Sequence, residues 1–156
     1  MTTIEYAYNR FCVERFPLPS EEQVTALERR IGVTLPDDFR HFVLEFNGGY
    51  FDEPEILQPT DGCPQDGLNL MCGIGASHDV AELGCRSSLT LFDDNDPPLI
   101  VPIGSTGMGG LIILITEDEG RGEIWYKQAL GSFHFLADGI EDFFDLLSDP
   151  PWGAKH

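Results

Sequence analysis

Basic residues are scarce in this chain of 156 residues. Lysine and arginine together number 9 against 27 aspartates and glutamates, so the formal net charge is −18. Contacts with nucleic-acid phosphates and anionic lipid headgroups require clustered Lys and Arg, so this balance argues against both kinds of partner. It favours a basic protein partner, although acidity also serves solubility, and a salt-rich habitat selects for negative surfaces without any partner.

Closely spaced cysteine pairs and long apolar runs are also missing. Cys12, Cys63, Cys72 and Cys85 form no C-x-x-C pair, and the chain does not open with a basic and apolar secretory segment. Free thiols in a reducing cytoplasm are therefore expected. The longest apolar run, Leu111–Ile115, is far shorter than the roughly 20 residues that span a bilayer, so we expect a soluble cytoplasmic protein.

Patterns typical of catalysis or metal binding are absent as well. The four histidines are scattered and none has zinc-ligand spacing with another His, Cys or acid. The glycine-rich segment 104–110 is followed by a β-branched run without a nearby Lys, which indicates a turn between strands rather than a phosphate-binding loop. No glycine-flanked serine elbow is visible. We expect no catalytic residues, no cofactor and no metal site.

Helical signals dominate the N-terminal third. Residues 4–16 fit both helical and strand spacing, and helix is favoured. Ser20 to Gln23 form a capping-box pattern, which predicts a helix over 21–31. A second helix is predicted within 35–49, where Pro36 suits the first helical position and the apolar residues recur at i, i+3, i+4 and i+7. The two helices together form a helical hairpin.

The remaining two thirds of the chain show mainly strand patterns, with a last helix near the C-terminal end of the sequence. Residues 68–74 predict a strand and 79–91 a further helix. Segments 99–103, 111–116 and 123–127 predict an antiparallel meander, with a fourth strand over 134–136. The stretch Asp138-Gly139-Ile140-Glu141 predicts a capped last helix that ends at Pro150-Pro151. The fold class is therefore α+β, a single domain over 1–156 with its core at about 20–149 and helices on one face of the sheet.

Three stretches of the chain form a family pattern. The first is the acid-rich helix opened by Leu35-Pro36 and closed by Asn47-Gly48-Gly49. The others are 101–115, with a proline-isoleucine-glycine turn before a buried strand, and 135–147, which leads into the last helix. Together they resemble the SMI1/KNR4 family, also called the SUKH superfamily. Leu111 departs from the resembled pattern, because many members carry a polar residue there, often aspartate.

The resemblance implies a function. Most bacterial members of this family are implicated as immunity proteins against secreted toxins, so the chain is expected to be a non-enzymatic protein that binds and neutralises a basic toxin domain, with nuclease toxins as natural candidates. The eukaryotic members imply an alternative, a regulatory or scaffolding module. A small enzyme or ligand-binding domain is a third reading, based only on the glycine-rich turn and the scattered acids.

Acidic loops and nearby aromatics are the candidate partner-binding residues, because carboxylates steer encounter and buried aromatics hold a complex. Trp125 and Tyr126 occupy adjacent strand positions, so one should face the core and the other the exposed side of the sheet or a partner. The core is favoured for Trp125, and both positions remain open for Tyr126. The candidate residues are Tyr50, Asp52, Glu53, Glu55, Asp93, Asp94, Asp96 and Tyr126.

Overall fold

The structure, a computed structural model, describes residues 2–57, 65–76, 81–85 and 99–149. Within these ranges it contains four helices and nine strands. The helices are α1 Thr3–Phe11, α2 Glu21–Ile31, α3 Asp37–Glu45 and α4 Ile140–Asp145. The strands are β1 Cys12–Arg15, β2 Gly49–Phe51, β3 Glu55–Ile56, β4 Leu68–Met71, β5 Ile100–Thr106, β6 Leu111–Ile115, β7 Ile124–Lys127, β8 Phe133–Ala137 and β9 Leu147–Ser148.

Seven of these strands form one antiparallel sheet. Their order is β1-β2-β4-β5-β6-β7-β8. The predicted meander is confirmed as β5 to β8, four strands that are neighbours both in sequence and in the sheet. The pair β3 and β9 makes a separate two-stranded ribbon. The turns β5–β6 and β7–β8 therefore lie at one end of the sheet, and the β6–β7 turn lies at the other.

The main core lies between the helices and one face of the sheet. Alternate residues of the central strands are buried in it, including Ile112 and Leu114 of β6 and Ile124 of β7. Each of the four helices contributes buried apolar residues to the same cluster, as Phe42 of α3 and Phe143 of α4 do. These residues share one face because successive side chains of a strand point to opposite faces of the sheet. The predicted α+β architecture is confirmed.

The helix α3 begins one residue later than the sequence predicts. Pro36 is its N-cap, with extended backbone and no side-chain capping bond, rather than its first helical residue. Its predicted stripe is confirmed, since Phe39, Phe42 and Val43 are buried. Beyond the helix, Asn47 adopts a left-handed backbone with φ 53°. The chain can then turn into β2, as the Asn-Gly-Gly sequence indicates.

The favoured helix over 4–16 is wrong for its last part. The helix α1 ends at Phe11, and Cys12–Arg15 forms the edge strand β1. The reason is long-range pairing: Glu14 lies opposite Tyr50 and Arg15 opposite Gly49 in β2. The local sequence fits both states, so the tertiary contact decides between them.

The last helix also differs from its prediction. Its N-cap is Gly139, which makes no side-chain capping bond, so the predicted Asp138 cap is wrong. The carboxylate of Asp38, on α3, instead accepts a hydrogen bond from the Ile140 amide at 3.3 Å. The helix ends at Asp145, before the two prolines. Most of the predicted helix over 79–91 lies outside the described residues.

Candidate protein-binding site

A pocket of about 290 Å³ lies at the end of the sheet that carries the β5–β6 turn. Three separate chain segments meet there, because the Gly107 amide donates to the Gly67 carbonyl and the Leu68 amide donates to the Pro54 carbonyl. The pocket is lined by Glu53, Glu55, Gln65, Asp66, Gly67, Gly107 and Met108. Three of these seven residues carry carboxylates, so the pocket is acidic.

Asp66 forms the buried base of this pocket. It is only 6% exposed, and both carboxylate oxygens accept hydrogen bonds. The Tyr126 hydroxyl donates to Oδ2 over 2.7 Å, and the Thr106 hydroxyl donates to the same oxygen. The amides of Gly67 and Met108 donate to Oδ1 over 2.9 and 3.1 Å. A buried carboxylate with four donors is well compensated for its lost hydration.

The glycine-rich turn after β5 fits around this network. The Thr106 hydroxyl also accepts a hydrogen bond from the Gly110 amide over 2.8 Å. A Cβ on Gly110 would lie 2.5 Å from the Tyr126 ring, so no side chain can be accommodated there. The turn between strands that the sequence predicts at this position is confirmed.

Glu53 and Glu55 stand at the edge of the pocket. Both are half-buried. The Glu53 carboxylate occupies the space that a side chain on Gly107 would need. Glu53 adopts a left-handed backbone with φ 48°, which is uncommon for a residue other than glycine. Glu55 pairs with Ser148 in the small ribbon and bridges to Gly67. Two of the acids predicted from the sequence are therefore brought together.

The other predicted residues in this part of the chain lie elsewhere. Asp52 lines a different cavity of about 520 Å³ between α1 and β1, together with Arg10 and Val13. Tyr50 is half-buried, and its ring packs edge-on against Phe16 with centroids 5.4 Å apart. The acids of this loop, which are adjacent in the sequence, are thus divided between two pockets.

The core position favoured for Trp125 is wrong, and of the two positions left open for Tyr126 the structure has the buried one. Tyr126 is 1% exposed and lies in the main core, so its ring is no exposed anchor. Trp125 is half-buried on the opposite face of the sheet, edge-on to Phe135 at 5.7 Å between centroids. The register decides this, because Tyr126 lies opposite the core residue Ile112 in β6.

Asp93, Asp94 and Asp96 lie outside the described residues. Asp66 is not among the predicted residues, because a single Asp before a glycine resembles any turn residue. Met108, which is 66% exposed at the pocket edge, is not among them either. An apolar residue inside a glycine-rich turn is the signal that could have identified it.

The model of the SMI1/KNR4 family (SUKH-1) matches residues 18–146. The chain belongs to this family. It is also similar to the SPbeta prophage-derived uncharacterized protein YokK of Bacillus subtilis (strain 168), at 26% identity over 170 residues, which covers 96% of this chain and 87% of that protein. The family match confirms the resemblance that the three sequence stretches indicated.

Two further observations concern the described part of the chain. Within it, no cluster of three or more His, Cys, Asp or Glu side chains is arranged to hold a metal ion. None of its helices combines the length and the apolar character needed to cross a membrane. Leu111, which departs from the resembled pattern, pairs with Ser105 and Lys127 at the start of β6.

Proposed function

We propose that the protein is a non-enzymatic immunity protein that binds a cognate bacterial toxin and blocks it through an acidic surface. Membership of the SMI1/KNR4 family is the observation that carries this proposal. A nuclease is the toxin class that fits best, because an enzyme that grips nucleic acid needs a basic groove and an acidic protein can occupy it.

The charge distribution supports an acidic binding surface. The net charge of −18 is not confined to one segment. Glu53 and Glu55 flank the pocket, and the exposed acids Glu141, Asp142 and Asp145 lie on α4. Such a field raises the rate of encounter with a basic protein, while a few buried contacts determine how long the complex lasts.

Protection in cells tests the function directly. The protein is tagged, recovered from the cells that produce it, and the proteins that co-purify are identified. Each partner is then expressed in a sensitive host with and without this chain. Restored growth with one basic toxin supports the proposal. Recovery of a housekeeping complex, with no protection against any partner, contradicts it and favours the regulatory or scaffolding alternative.

The salt dependence of association tests the acidic surface. If charge steers encounter, the association rate constant should fall at least about tenfold between low and 0.5 M salt. Stopped-flow mixing with the recovered toxin measures this rate, while the dissociation rate should change much less. A rate constant that stays flat across this range contradicts electrostatic steering.

Variants with neutralised acids show which charges raise the association rate. The double variant Glu53→Gln and Glu55→Gln removes two charges at the pocket, and Glu117→Gln with Glu119→Gln removes two at the opposite end of the sheet. The pocket variant should slow association roughly fivefold and the control variant less than about twofold. Equal effects would assign steering to the total charge rather than to the pocket.

A further inference from the structure

Two hairpin turns place exposed apolar side chains at the same end of the sheet. Met108, in the β5–β6 turn, is 66% exposed, and Leu130, in the β7–β8 turn, is 103% exposed. The turns are in contact, since a Cβ built on Gly109 would lie 3.6 Å from the Cβ of Ala129. We call the three side chains of Met108, Ala129 and Leu130 the turn-tip patch.

Hairpin tips usually carry Gly, Asn, Asp or Ser, whose backbone or side chain suits the turn. A fully exposed leucine contributes nothing to the core. The turn that bears Met108 is nevertheless well ordered, because the Met108 amide donates a hydrogen bond to the buried Asp66 carboxylate over 3.1 Å. The patch therefore combines an ordered backbone with apolar side chains in water, a combination that lowers the entropic cost of binding.

Negative charge borders the patch on one side. The Glu53 carboxylate packs against Gly107, the residue before Met108, and Glu55 lines the same pocket. Apolar anchors next to a charged rim are the usual anatomy of a protein interface. The charge also specifies the partner, because a second copy of this chain would bring like carboxylates together, whereas a basic surface complements them.

We propose that the turn-tip patch is the docking surface for a basic protein, whose apolar hollow receives Met108 and Leu130 while a Lys or Arg side chain lies beside Glu53 and Glu55. This inference rests on the proposed function, since the basic protein is the toxin. It adds the apolar anchors, which an acidic surface alone does not supply.

The cavity between α1 and β1 is a natural comparison. Its edge also exposes apolar side chains, Tyr6 at 54% and Val13 at 72%. Its charges are mixed, however, because Arg10 and Asp52 both line it. It offers no single sign of charge to a basic partner. Val13 and the equally accessible Leu18, at 63%, therefore serve as matched controls for Met108 and Leu130.

Position-specific photocrosslinking tests the surface in the full chain. The photoreactive residue benzoylphenylalanine replaces Met108 or Leu130 in two samples and Val13 or Leu18 in two controls. Each is irradiated in the cells that produce the protein, and mass spectrometry identifies the products. We expect one product, with a protein rich in Lys and Arg, at least about fivefold stronger from positions 108 and 130. The added substitutions Glu53→Lys and Glu55→Lys should abolish it.

Several outcomes would overturn the docking surface. These are equal products from positions 13 and 18, a product with a second copy of this chain or with an acidic protein, and no product from positions 108 and 130. Thermal melts of every variant accompany the experiment. Since all four positions are exposed, the melting temperatures should match, and a lost product then reports lost contact rather than unfolding.

Affinity for the captured protein separates this inference from the proposed function. The variant Met108→Ser with Leu130→Ser should raise the Kd at least about tenfold, and Val13→Ser with Leu18→Ser less than about twofold. A toxin that binds both variants equally leaves the immunity function standing and refutes the surface. A captured basic protein that depends on the patch but is harmless to cells refutes the immunity function and leaves the surface standing.

A methyl label on methionine gives an independent readout of the same complex. Met71 is fully buried and Met108 is exposed, so their methyl resonances report the core and the patch. Addition of the captured protein should shift the Met108 methyl resonance and leave that of Met71 in place. A shift of Met71 without a shift of Met108 contradicts docking at the patch.

Discussion

Asp66 depends on hydroxyl donors that come from two strands, Thr106 of β5 and Tyr126 of β7. The variant Tyr126→Phe removes one of these donors and keeps the ring. Because the bond is buried and its acceptor is a carboxylate, we expect a loss of about 1.5–3 kcal/mol in the free energy of unfolding. Urea titration followed by circular dichroism measures it.

The matched control is Tyr6→Phe, which removes the same hydroxyl group from a ring that is 54% exposed. Its effect should stay within about 0.5 kcal/mol. Equal losses in the two variants would show that the Asp66 hydrogen bond contributes no more than an exposed hydroxyl group does.

Cys72 should be chemically inert while the protein is folded. Burial raises the pKa of this thiol to about 12, and the residue is 7% exposed. Since the thiolate is the reactive form and appears only near that pH, iodoacetamide at pH 8 should leave Cys72 unmodified. In 8 M urea, where the pKa returns to about 8.5, the same reagent should modify it. Peptide mass spectrometry compares the two samples, and rapid labelling of the folded protein contradicts this prediction.

The Asn-Gly-Gly stop after α3 has no room for an added side chain. Gly48 has φ +75°, and a Cβ there would lie 2.3 Å from the Met71 carbonyl oxygen of β4. Gly75 has the same φ of +75°, but a Cβ there meets nothing within 4 Å. The two positions therefore share the backbone strain and differ in the steric clash.

Alanine at these glycines should separate the two effects. Gly75→Ala carries only the left-handed strain and should cost about 1–2 kcal/mol. Gly48→Ala must also displace a backbone carbonyl and should cost at least about 3 kcal/mol more, enough to prevent folding of a marginally stable domain. Urea unfolding of both variants is the measurement. Similar costs would mean that β4 moves aside easily.

Structural elements that depend on neighbouring residues can be predicted from the sequence. Elements that depend on residues far apart in the sequence cannot. The capping box of α2 involves only Ser20 and Gln23, and the structure contains both of its bonds. The α4 cap comes from Asp38, 102 residues away from Ile140. Likewise, the sequence shows that Trp125 and Tyr126 face opposite sides, but the register with β6 decides which one is buried.

At the scale of the whole molecule, the site is less predictable than the fold. Glu53 and Glu55 are predictable from the sequence because they lie close together in one acidic loop. The pocket itself forms only where residues 53–55, 65–67 and 107–108 meet. Nothing local to Asp66 reveals that β5 and β7 will supply its donors. A charge count therefore indicates the type of partner, whereas the tertiary structure supplies the surface.

The net charge of −18 should also make stability depend on salt. Self-repulsion opposes the compact state, and screening relieves it, so the melting temperature should rise as NaCl increases from 10 to 200 mM. Each kcal/mol gained corresponds to about 2–4 °C for a domain of this size. Differential scanning calorimetry gives the values.

Charge reversal on exposed acids provides the control for this effect. The variant Glu119→Lys, Glu141→Lys and Asp145→Lys changes only exposed positions. It should melt at a higher temperature in 10 mM NaCl and respond less to added salt. An unchanged salt response would indicate specific ion binding rather than screening.

The layout of the aromatic core has a consequence for synthesis on the ribosome. Tyr8 of α1 packs against Phe42, Phe46 and Phe51, and also against Phe144 of α4. Arg10, two residues further, forms two hydrogen bonds with Asp149. In a nascent chain, α1 therefore lacks these neighbours until residues 144–149 have emerged from the ribosome. Folding of the aromatic core is delayed until then, and a chain that terminates before residue 144 presents an open aromatic surface to chaperones and proteases.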